Sequence, residues 1–508
     1  MIKYLKPVFF VALLLCTAPA FPQDMKRVLT LDQVIATAKD QSPNAMMARN
    51  RFRSSYYSYR AYRAGYLPQL TLSTSPYTYS KGISTYQRQV PILDDEGHVT
   101  GYRYVEDNSE SESVNTSVNA SLSQNITLTG GTISLTSSFR RTDDLMNDNL
   151  NYSTVPLKLV IDQPLNGYNR FRWERKIEPL RYEEAKRNYV VQMEQVTSTA
   201  LSRFFSLASA QINLKIAETN MQNQDTLFLI AKGRYNLGTI AEDALLQMQL
   251  RYMQAQSSLQ SARMNLQSAQ SNLRSFLGFN EKVELELVVD FNIPDLQVAY
   301  EKALELALSN SPDILSYERQ LLESQRSVAQ ARSQRGLSVT LNGTYGKSRS
   351  AKEFGEVYSN LGDDYSLGAS IRIPVLDWGQ GRNTYRNALS SRELVEVQMR
   401  QNRVDFEQQI FLQVMQFNMQ GKQLEIASVA DTIAQKSYEV AKQRYLIGRV
   451  SVTDLNIADT EKDAAKRTLI NELSTYWTQF YRLRQSTLFD FLNNRSLLEQ
   501  DFESLLKM

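Results

Sequence analysis

Two stretches of more than a hundred residues hold no proline: the 114 residues between Pro179 and Pro294, and the 134 residues after Pro374. Proline interrupts helices, so these windows are where very long helices can run. Glycine is nearly absent from them too. The first holds Gly233, Gly238 and Gly278; from Asn383 onward there are only Gly421 and Gly448. Ala, Gln, Leu, Glu, Arg and Met, all good helix formers, fill the space. The apolar spacing is coiled-coil-like, with Ile426, Ile433, Val440 and Ile447 seven apart, and likewise Ile410, Phe417 and Leu424, and Val397, Val404 and Phe411. The register shifts between these sets, as it does across stutters. A single amphipathic helix in a soluble bundle is the alternative, and length argues against it. Residues 385 to 446 would extend about 93 Å at about 1.5 Å per residue, where globular helices average about three or four turns.

Between the helical windows the alphabet changes. Residues 67–80, 113–128, 132–140, 153–163, 336–350 and 365–373 alternate polar with apolar or small residues and are rich in Thr, Ser, Val, Leu and Tyr. Period-two segments of about 9–11 residues suit an outer-membrane barrel strand; a soluble sandwich would also accept them.

Composition removes most chemistry. The chain has 57 Lys+Arg against 54 Asp+Glu, one His and one Cys among 508 residues. A Ser-His-Asp triad, a His/Cys zinc site and a disulfide framework each need partners it lacks. The near-zero charge balance argues against a nucleic-acid binder. Catalysis by carboxylates alone survives, with no cleft-forming pattern behind it. No stretch approaches 18 consecutive apolar residues, so no transmembrane helix is expected. Lys3 and Lys6, the apolar run Val8 to Leu15 and Ala18-Pro19-Ala20 read as a signal peptide over residues 1–20. Its removal would take Cys16 with it. Lipidation of Cys16 is the alternative, disfavoured by the bulky Leu15 before it. The mature chain is then exported and cysteine-free, either soluble or crossing a membrane as strands.

The chain also repeats itself. Residues 31–52 align with 300–321 at an offset of 269, placing Ala38 on Ala307 and Ser42-Pro43 on Ser311-Pro312. Residues 234–247 align with 444–457 at an offset of 210, placing Arg234 on Arg444, Tyr235 on Tyr445, Gly238 on Gly448 and Leu245 on Leu455. The difference of 59 residues locates an insertion in the strand region of the first copy: four alternating segments against two, plus a polar loop at 81–112. The expected organisation is a first repeat over 21–298 (helix 31–66, strands 67–164, long helices 180–277, linker 278–298). A second repeat follows over 299–508 (helix 300–335, strands 336–374, long helices 384–488, then a tail).

In this order and duplication the residues resemble the TolC-type outer-membrane efflux proteins, over nearly the whole mature chain. The carriers are the paired A-x-x-x-S-P openings at Ala38–Pro43 and Ala307–Pro312 and the strand-to-helix turns QPLNGYN (163–169) and PVLDWGQGRN (374–383). The FLGFN close of the first repeat (276–280) and the two R-Y-x-x-G tips (234–238, 444–448) complete them. The resemblance implies a mostly α fold with β, in which a duplicated helix–strand–helix repeat forms a long coiled-coil α-barrel plus a transmembrane β-barrel, closed as a homotrimer. It further implies an outer-membrane duct without enzymatic activity or cofactor, partnered by a periplasmic adaptor, an inner-membrane pump and outer-membrane lipid, with no nucleic acid. A secreted coiled-coil structural or adhesion protein is the competing class. Two features depart from the family: it usually has two strands per repeat, and Leu337 stands where Pro68 stands in the first copy.

On this resemblance Arg234, Tyr235, Gly238, Leu245, Arg444, Tyr445, Gly448 and Leu455 form the adaptor-docking tips, although plain turn chemistry explains the glycines equally. Asp454 matches an acidic ring at the family's entrance, with Asp243 near the equivalent position in the first repeat. Ile457 stands where the family has a second aspartate. Ser451-x-x-Asp454 also reads as a capping box, as does Thr239-x-x-Glu242. Gly379-x-Gly381 lacks a third glycine for a nucleotide loop, and His98 sits in a mixed-charge loop as a solvated residue. Tyr77, Tyr79, Tyr345 and Tyr365 suit a lipid interface; Tyr56, Tyr57, Tyr59 and Tyr62 suit packing between helices.

Overall fold

The computed structural model describes residues 26–279, 283–291, 294, 296–447 and 449–506. The expected signal segment, Cys16 and Gly448 lie outside the described residues. The chain order is β1 (Lys26–Thr30), α1 (Leu31–Gln41), α2 (Pro43–Ala64), β2 (Gln69–Leu93), β3 (Val99–Ile126), β4 (Gly131–Asp144), β5 (Asn149–Pro164), α3 (Arg170–Asn236) and α4 (Glu242–Leu277). Then come β6 (Glu284–Val288), α5 (Tyr300–Asn310), α6 (Pro312–Gln334), β7 (Ser338–Ala351), β8 (Gly362–Arg372), α7 (Gln380–Leu446), α8 (Val452–Thr487), β9 (Phe489–Asp490) and β10 (Arg495–Ser496). Helices α3 and α7 each have 67 residues, and α4 and α8 each have 36. Among the described residues no helix is long and apolar enough to cross a membrane.

The two Ser-Pro pairs are helix breaks, so each expected helix of about 36 residues is two helices. The Ser42 amide closes α1 on the Ala38 carbonyl at 3.2 Å, and its hydroxyl opens α2 by accepting from the Ala45 amide at 3.1 Å. Pro43 takes the first helical position, where a missing N–H has no consequence. Ser311 closes α5 on Ala307 in the same way. Pro179 breaks nothing: α3 already starts at Arg170, and the proline lies within it. The amides of Gly379 and Gly381, at the start of α7, are both held by Asp377 at 2.9 Å, which leaves no phosphate cradle there.

The chain forms two compact units. One holds residues 52–187 and 312–406, with an antiparallel six-stranded sheet in the order β2-β3-β4-β5-β7-β8. The segment expected as a polar loop at 81–112 is strand: β2 and β3 pair from Gln69↔Ser123 to Leu93↔Val99, beyond the reach of the other strands. Below the sheet Tyr59 stacks on Tyr182 at 4.6 Å and Arg319 binds Glu184 at 2.6 Å, locking α2 and α6 to α3. Tyr56 and Tyr62 join this aromatic row, while Tyr57 is largely exposed.

The other unit holds residues 26–51, 188–311 and 407–506. Its core gathers Leu201, Phe204, Leu207, Leu273, Leu277, Phe417, Tyr476 and Phe480, all fully buried. A parallel pair β1–β6 lies within it, an element with no counterpart among the sequence expectations. Ile410, Phe417 and Leu424 form the buried stripe of α7. The other two heptad sets face outward: Val397, Val404, Ile426, Ile433 and Val440 are each more than half exposed.

One buried charge ties several elements of this unit together. Glu194 on α3 is 2% exposed. It receives Lys39 of α1 at 2.7 Å and Arg484 of α8 at 3.1 Å, and Arg484 also binds Asp490 at 3.0 Å. Burial opposes ionisation of Asp490, but hydrogen bonds from Asn493 and the Arg484 charge hold its carboxyl below the usual range. Removing one partner of a buried pair leaves an uncompensated charge and costs about 3–5 kcal/mol. Glu194→Ala is therefore expected to lower the thermal midpoint clearly, while Arg482→Ala, at an exposed position, leaves it unchanged. Equal midpoints for the two variants would remove Glu194 from this role. The stabilisation from Asp490 is complete above its unfolded value of about 3.9 and is lost as pH falls through the lower folded value, so a melt series should lose it only below about pH 4.

Candidate functional site

Two surfaces carry the functional argument: the faces of the sheet and the helix turns.

The register of the sheet sorts its side chains by face. Row by row, Leu70 opposes Leu122, Leu122 opposes Leu135, Leu135 opposes Leu159, Leu159 opposes Tyr345, and Tyr345 opposes Tyr365. Leu72, Ala120, Val118, Ile133, Ile161, Leu341, Leu367 and Ile371 share that face, since side chains alternate along each strand. Leu367 is 87% exposed, and Leu70, Leu72, Tyr345, Tyr365 and Ile371 also lie open. The opposite face reads Thr71, Ser73, Ser121, Ser123, Ser134, Thr136, Thr340, Thr344 and Ser366, with a Lys158–Asp364 ion pair at 3.0 Å and an Asn342–Asp162 hydrogen bond. At the strand ends Leu128, Leu165, Val375 and Trp378 are strongly exposed, Trp378 at 89%. Tyr77, Tyr79, Tyr345 and Tyr365 are all exposed on the strands.

The α3–α4 turn closes by glycine. Gly238 has φ +69°, its amide bonds the Tyr235 carbonyl at 2.8 Å, and the Thr239 amide reaches back to Arg234 at 2.9 Å. This is the pattern of a helix that ends in a left-handed residue. The expected Thr239-x-x-Glu242 box does not form. The N-cap of α4 is Ala241, which has no side-chain oxygen, and the Thr239 hydroxyl donates to the Arg234 carbonyl instead. Glu242 and Asp243 occupy the first turn of α4, favourable for negative charge. Arg234, Tyr235 and Asp243 are exposed, and Leu245 is half-buried.

At the α7–α8 turn the Arg449 amide bonds the Arg444 carbonyl at 2.9 Å. Arg444 is exposed and Tyr445 falls in the last turn of α7. Ser451 caps α8 in a full box: its hydroxyl accepts from the Asp454 amide, and the Asp454 carboxylate accepts from the Ser451 amide, both at 3.1 Å. The Ser451 hydroxyl and amide hold the Asp454 carboxyl below its ordinary value. Asp454 itself is exposed, so it carries a fixed negative charge at the start of α8. Leu455 is buried with Tyr438 against Leu227, Ala441 and Val450, which makes it a packing residue of the turn.

Behind this turn lies a polar cluster that the motifs did not reveal. Lys462 stands 3.9 Å from the Tyr438 ring centre, 2.6 Å from Asp459 and 3.4 Å from Asp463. Asn220 and Asn223 on α3 reach across to Asp463 at 2.6 Å and to the Tyr438 hydroxyl at 3.2 Å. One helical turn further, Lys466 binds the buried Asp431 at 3.2 Å. A sequence signal existed: the buried stripe Ile410, Phe417, Leu424 continues every seven residues to Asp431 and Tyr438. Burial opposes the Lys462 charge, but Asp459 and Asp463 outweigh it and hold the ammonium above its ordinary value. Its stabilisation is then complete below the unfolded value of about 10.4 and lost as pH rises through the folded value. Lys462→Met should speed amide exchange along residues 455–470 of α8 at neutral pH, and wild type should approach that rate only in strong alkali. Identical exchange in both proteins at neutral pH would show that the cluster holds nothing.

The matched model "Outer membrane efflux protein" covers residues 131–279 and 303–487, well over half of the chain. The outer membrane channel CmeC of Campylobacter jejuni superposes with a TM-score of 0.63 at 15% identity, over 94% of this chain and 88% of that one. VceC of Vibrio cholerae superposes with a TM-score of 0.59 at 15% identity, over 90% and 95%. At such identities the likeness is one of fold. Nodulation protein T of Rhizobium leguminosarum bv. trifolii is 21% identical over 284 residues, a match spanning 55% of this chain and 60% of the relative. The chain belongs to the outer membrane efflux protein family.

Proposed function

We propose that three copies of this chain close a β-barrel in the outer membrane, and that their helices continue it as a duct through the periplasm. The protein is then the passive outer component of a tripartite export system, carrying drugs, metals, peptides or proteins delivered by an inner-membrane pump through a periplasmic adaptor. No bond is made or broken along the way, and the energy comes from the pump. The chain reads as two structural repeats, 21–298 and 299–508, after a signal segment at 1–20. The observation that carries this proposal is the sheet: Leu70, Leu72, Tyr345, Tyr365, Leu367 and Ile371 of its apolar face lie open, which lipid explains and water does not. The exposed heptad stripes on α7 suit the helices of a neighbouring copy.

In this scheme the two turns meet the adaptor, through Arg234, Tyr235, Gly238 and Leu245 on one side and Arg444, Tyr445, Gly448 and Leu455 on the other. Asp454 repeated three times around the axis, with Asp243 beside it, would favour cations at the entrance. The links from Asn220 and Asn223 to Asp463 and Tyr438 brace the two helix pairs behind it.

Membrane fractionation and the mass of the detergent-extracted protein test the architecture. Outer-membrane recovery at the mass of three protomers is expected, and a soluble or monomeric product would overturn it. Asp454→Asn separates the entrance role from capping, because the amide oxygen still accepts the Ser451 hydrogen bond while the charge is gone. Planar-bilayer recordings should show reduced cation preference with α8 intact. Unchanged selectivity would leave Asp454 as a cap alone.

A further inference from the structure

The family's usual two strands per repeat would give four per copy, whereas this sheet has six. The first repeat holds four of these, β2 to β5, and the inner two, β3 and β4, counted here as the added pair, could hang outside a barrel wall or form part of it. The hydrogen bonds around its lower turn, residues 127–130, bear on that choice. At the end of β3, Gln124 donates to the Tyr66 carbonyl at 2.9 Å and Asn125 to the Gly65 carbonyl at 3.2 Å, just past the end of α2. Asn169, ahead of α3, donates to the carbonyls of Thr127 and Leu128 at 3.1 and 3.0 Å while its own oxygen accepts from the Arg172 amide. Arg175 reaches the Thr127 hydroxyl at 3.2 Å, and Thr129 binds Gln163 at 2.6 Å. The turn is thus bonded into the gap between the end of α2 and the start of α3.

Close packing agrees. Gly130 takes φ +82° against Asn169, and a Cβ at Gly131 would lie 2.8 Å from the Asp162 carbonyl oxygen, so a side chain there would push β4 off β5. The face pattern also extends into the added pair: Leu122, Ala120 and Val118 on β3 and Ile133 and Leu135 on β4 share the face of the apolar residues of β5, β7 and β8, interrupted at Gln124 and Ser137. A hairpin outside the wall would need no such alternation.

We infer that β3 and β4 are wall strands, and that three copies close an eighteen-stranded barrel through the free edges of β2 and β8. This rests on the membrane-duct proposal. The strand directions permit it, since six alternating strands leave β2 and β8 antiparallel across every seam. The dimensions favour it. Eighteen strands spaced about 4.8 Å apart and tilted about 40° trace a circumference of about 110 Å. Twelve helices packed about 9 Å apart, four from each copy, trace nearly the same. Twelve strands would trace only about 75 Å.

Because the mature chain would hold no cysteine, single cysteines carrying an environment-sensitive fluorophore can be read one at a time in liposomes containing brominated lipid. Labels at Leu122→Cys and Leu135→Cys should be quenched several-fold, as should Leu159→Cys on β5, while Ser121→Cys and Ser134→Cys are not. Quenching at position 159 with none at 122 or 135 would place the added pair outside the wall and overturn the inference. No quenching at 159 would instead sink the membrane reading beneath it. Strand counting by electron cryomicroscopy of the intact assembly in nanodiscs gives an independent answer: eighteen supports the inference and twelve overturns it.

Discussion

A sheet that sets Leu, Ile, Val and Tyr on one face and Ser, Thr and Asn on the other needs two different solvents. The row from Leu70 through Leu122, Leu135, Leu159 and Tyr345 to Tyr365 crosses all six strands, so the division belongs to the sheet as a whole and not to any one strand. Within hydrocarbon every backbone N–H and C=O must find a partner in protein. The free edges of β2 and β8 are incompatible with lipid unless something pairs with them. On the proposed membrane reading the apolar face meets lipid, and lipid asks for closure of the edges. The Lys158–Asp364 pair suits the wet side, because an ion pair on the lipid side would be costly.

The helical unit solves the opposite problem. Its α7 stripe runs from Ile410, Phe417 and Leu424 into Asp431 and Tyr438, both under 10% exposed. Hydrophobic packing therefore gives way to bonded polar contacts toward the α7–α8 turn. Buried polar pairs add little net stability compared with apolar packing, but they fix which helix faces which. Asn220 to Asp463 and Asn223 to Tyr438 join α3 to the α7–α8 pair through directional bonds. Such contacts can be exchanged as discrete units, whereas an interdigitated Leu seam resists sliding.

Much of this was legible in the amino acids, and the failures share a cause. The proline-poor windows marked α3, α4, α7 and α8, and alternation marked the sheet. Pro179 misled because a proline inside a long helix can remove one backbone hydrogen bond without ending the helix, and α3 begins nine residues before it. Residues 81–112 look like a loop because both of their faces mix polar with apolar residues, and alternation is visible only where one face is consistently apolar; backbone pairing carries the strands on regardless. The heptads at Ile426, Ile433 and Val440 are real, but they point out of the chain, so apolar spacing alone does not say which seam it serves. The polar cluster at Lys462 was hidden because a search for apolar periodicity stops where Asp431 begins.

The two helix turns differ in a way that bears on their use. Both end a 67-residue helix and start a 36-residue one. The first relies on Gly238 to stop α3 and gives α4 no side-chain cap, so Asp243 contributes only charge near the helix start. The second starts α8 with a reciprocal box in which the same carboxylate that carries the charge also satisfies a backbone amide. Ser451 therefore orients Asp454, and its hydrogen bonds keep the carboxylate ionised to lower pH than an ordinary aspartate. If it lines the proposed entrance, the charge gains from being part of the cap, because moving it would mean unravelling the first turn of α8. On the proposed entrance role, capping and gating would be one arrangement seen from two sides, with Ser451 serving the second by securing the first.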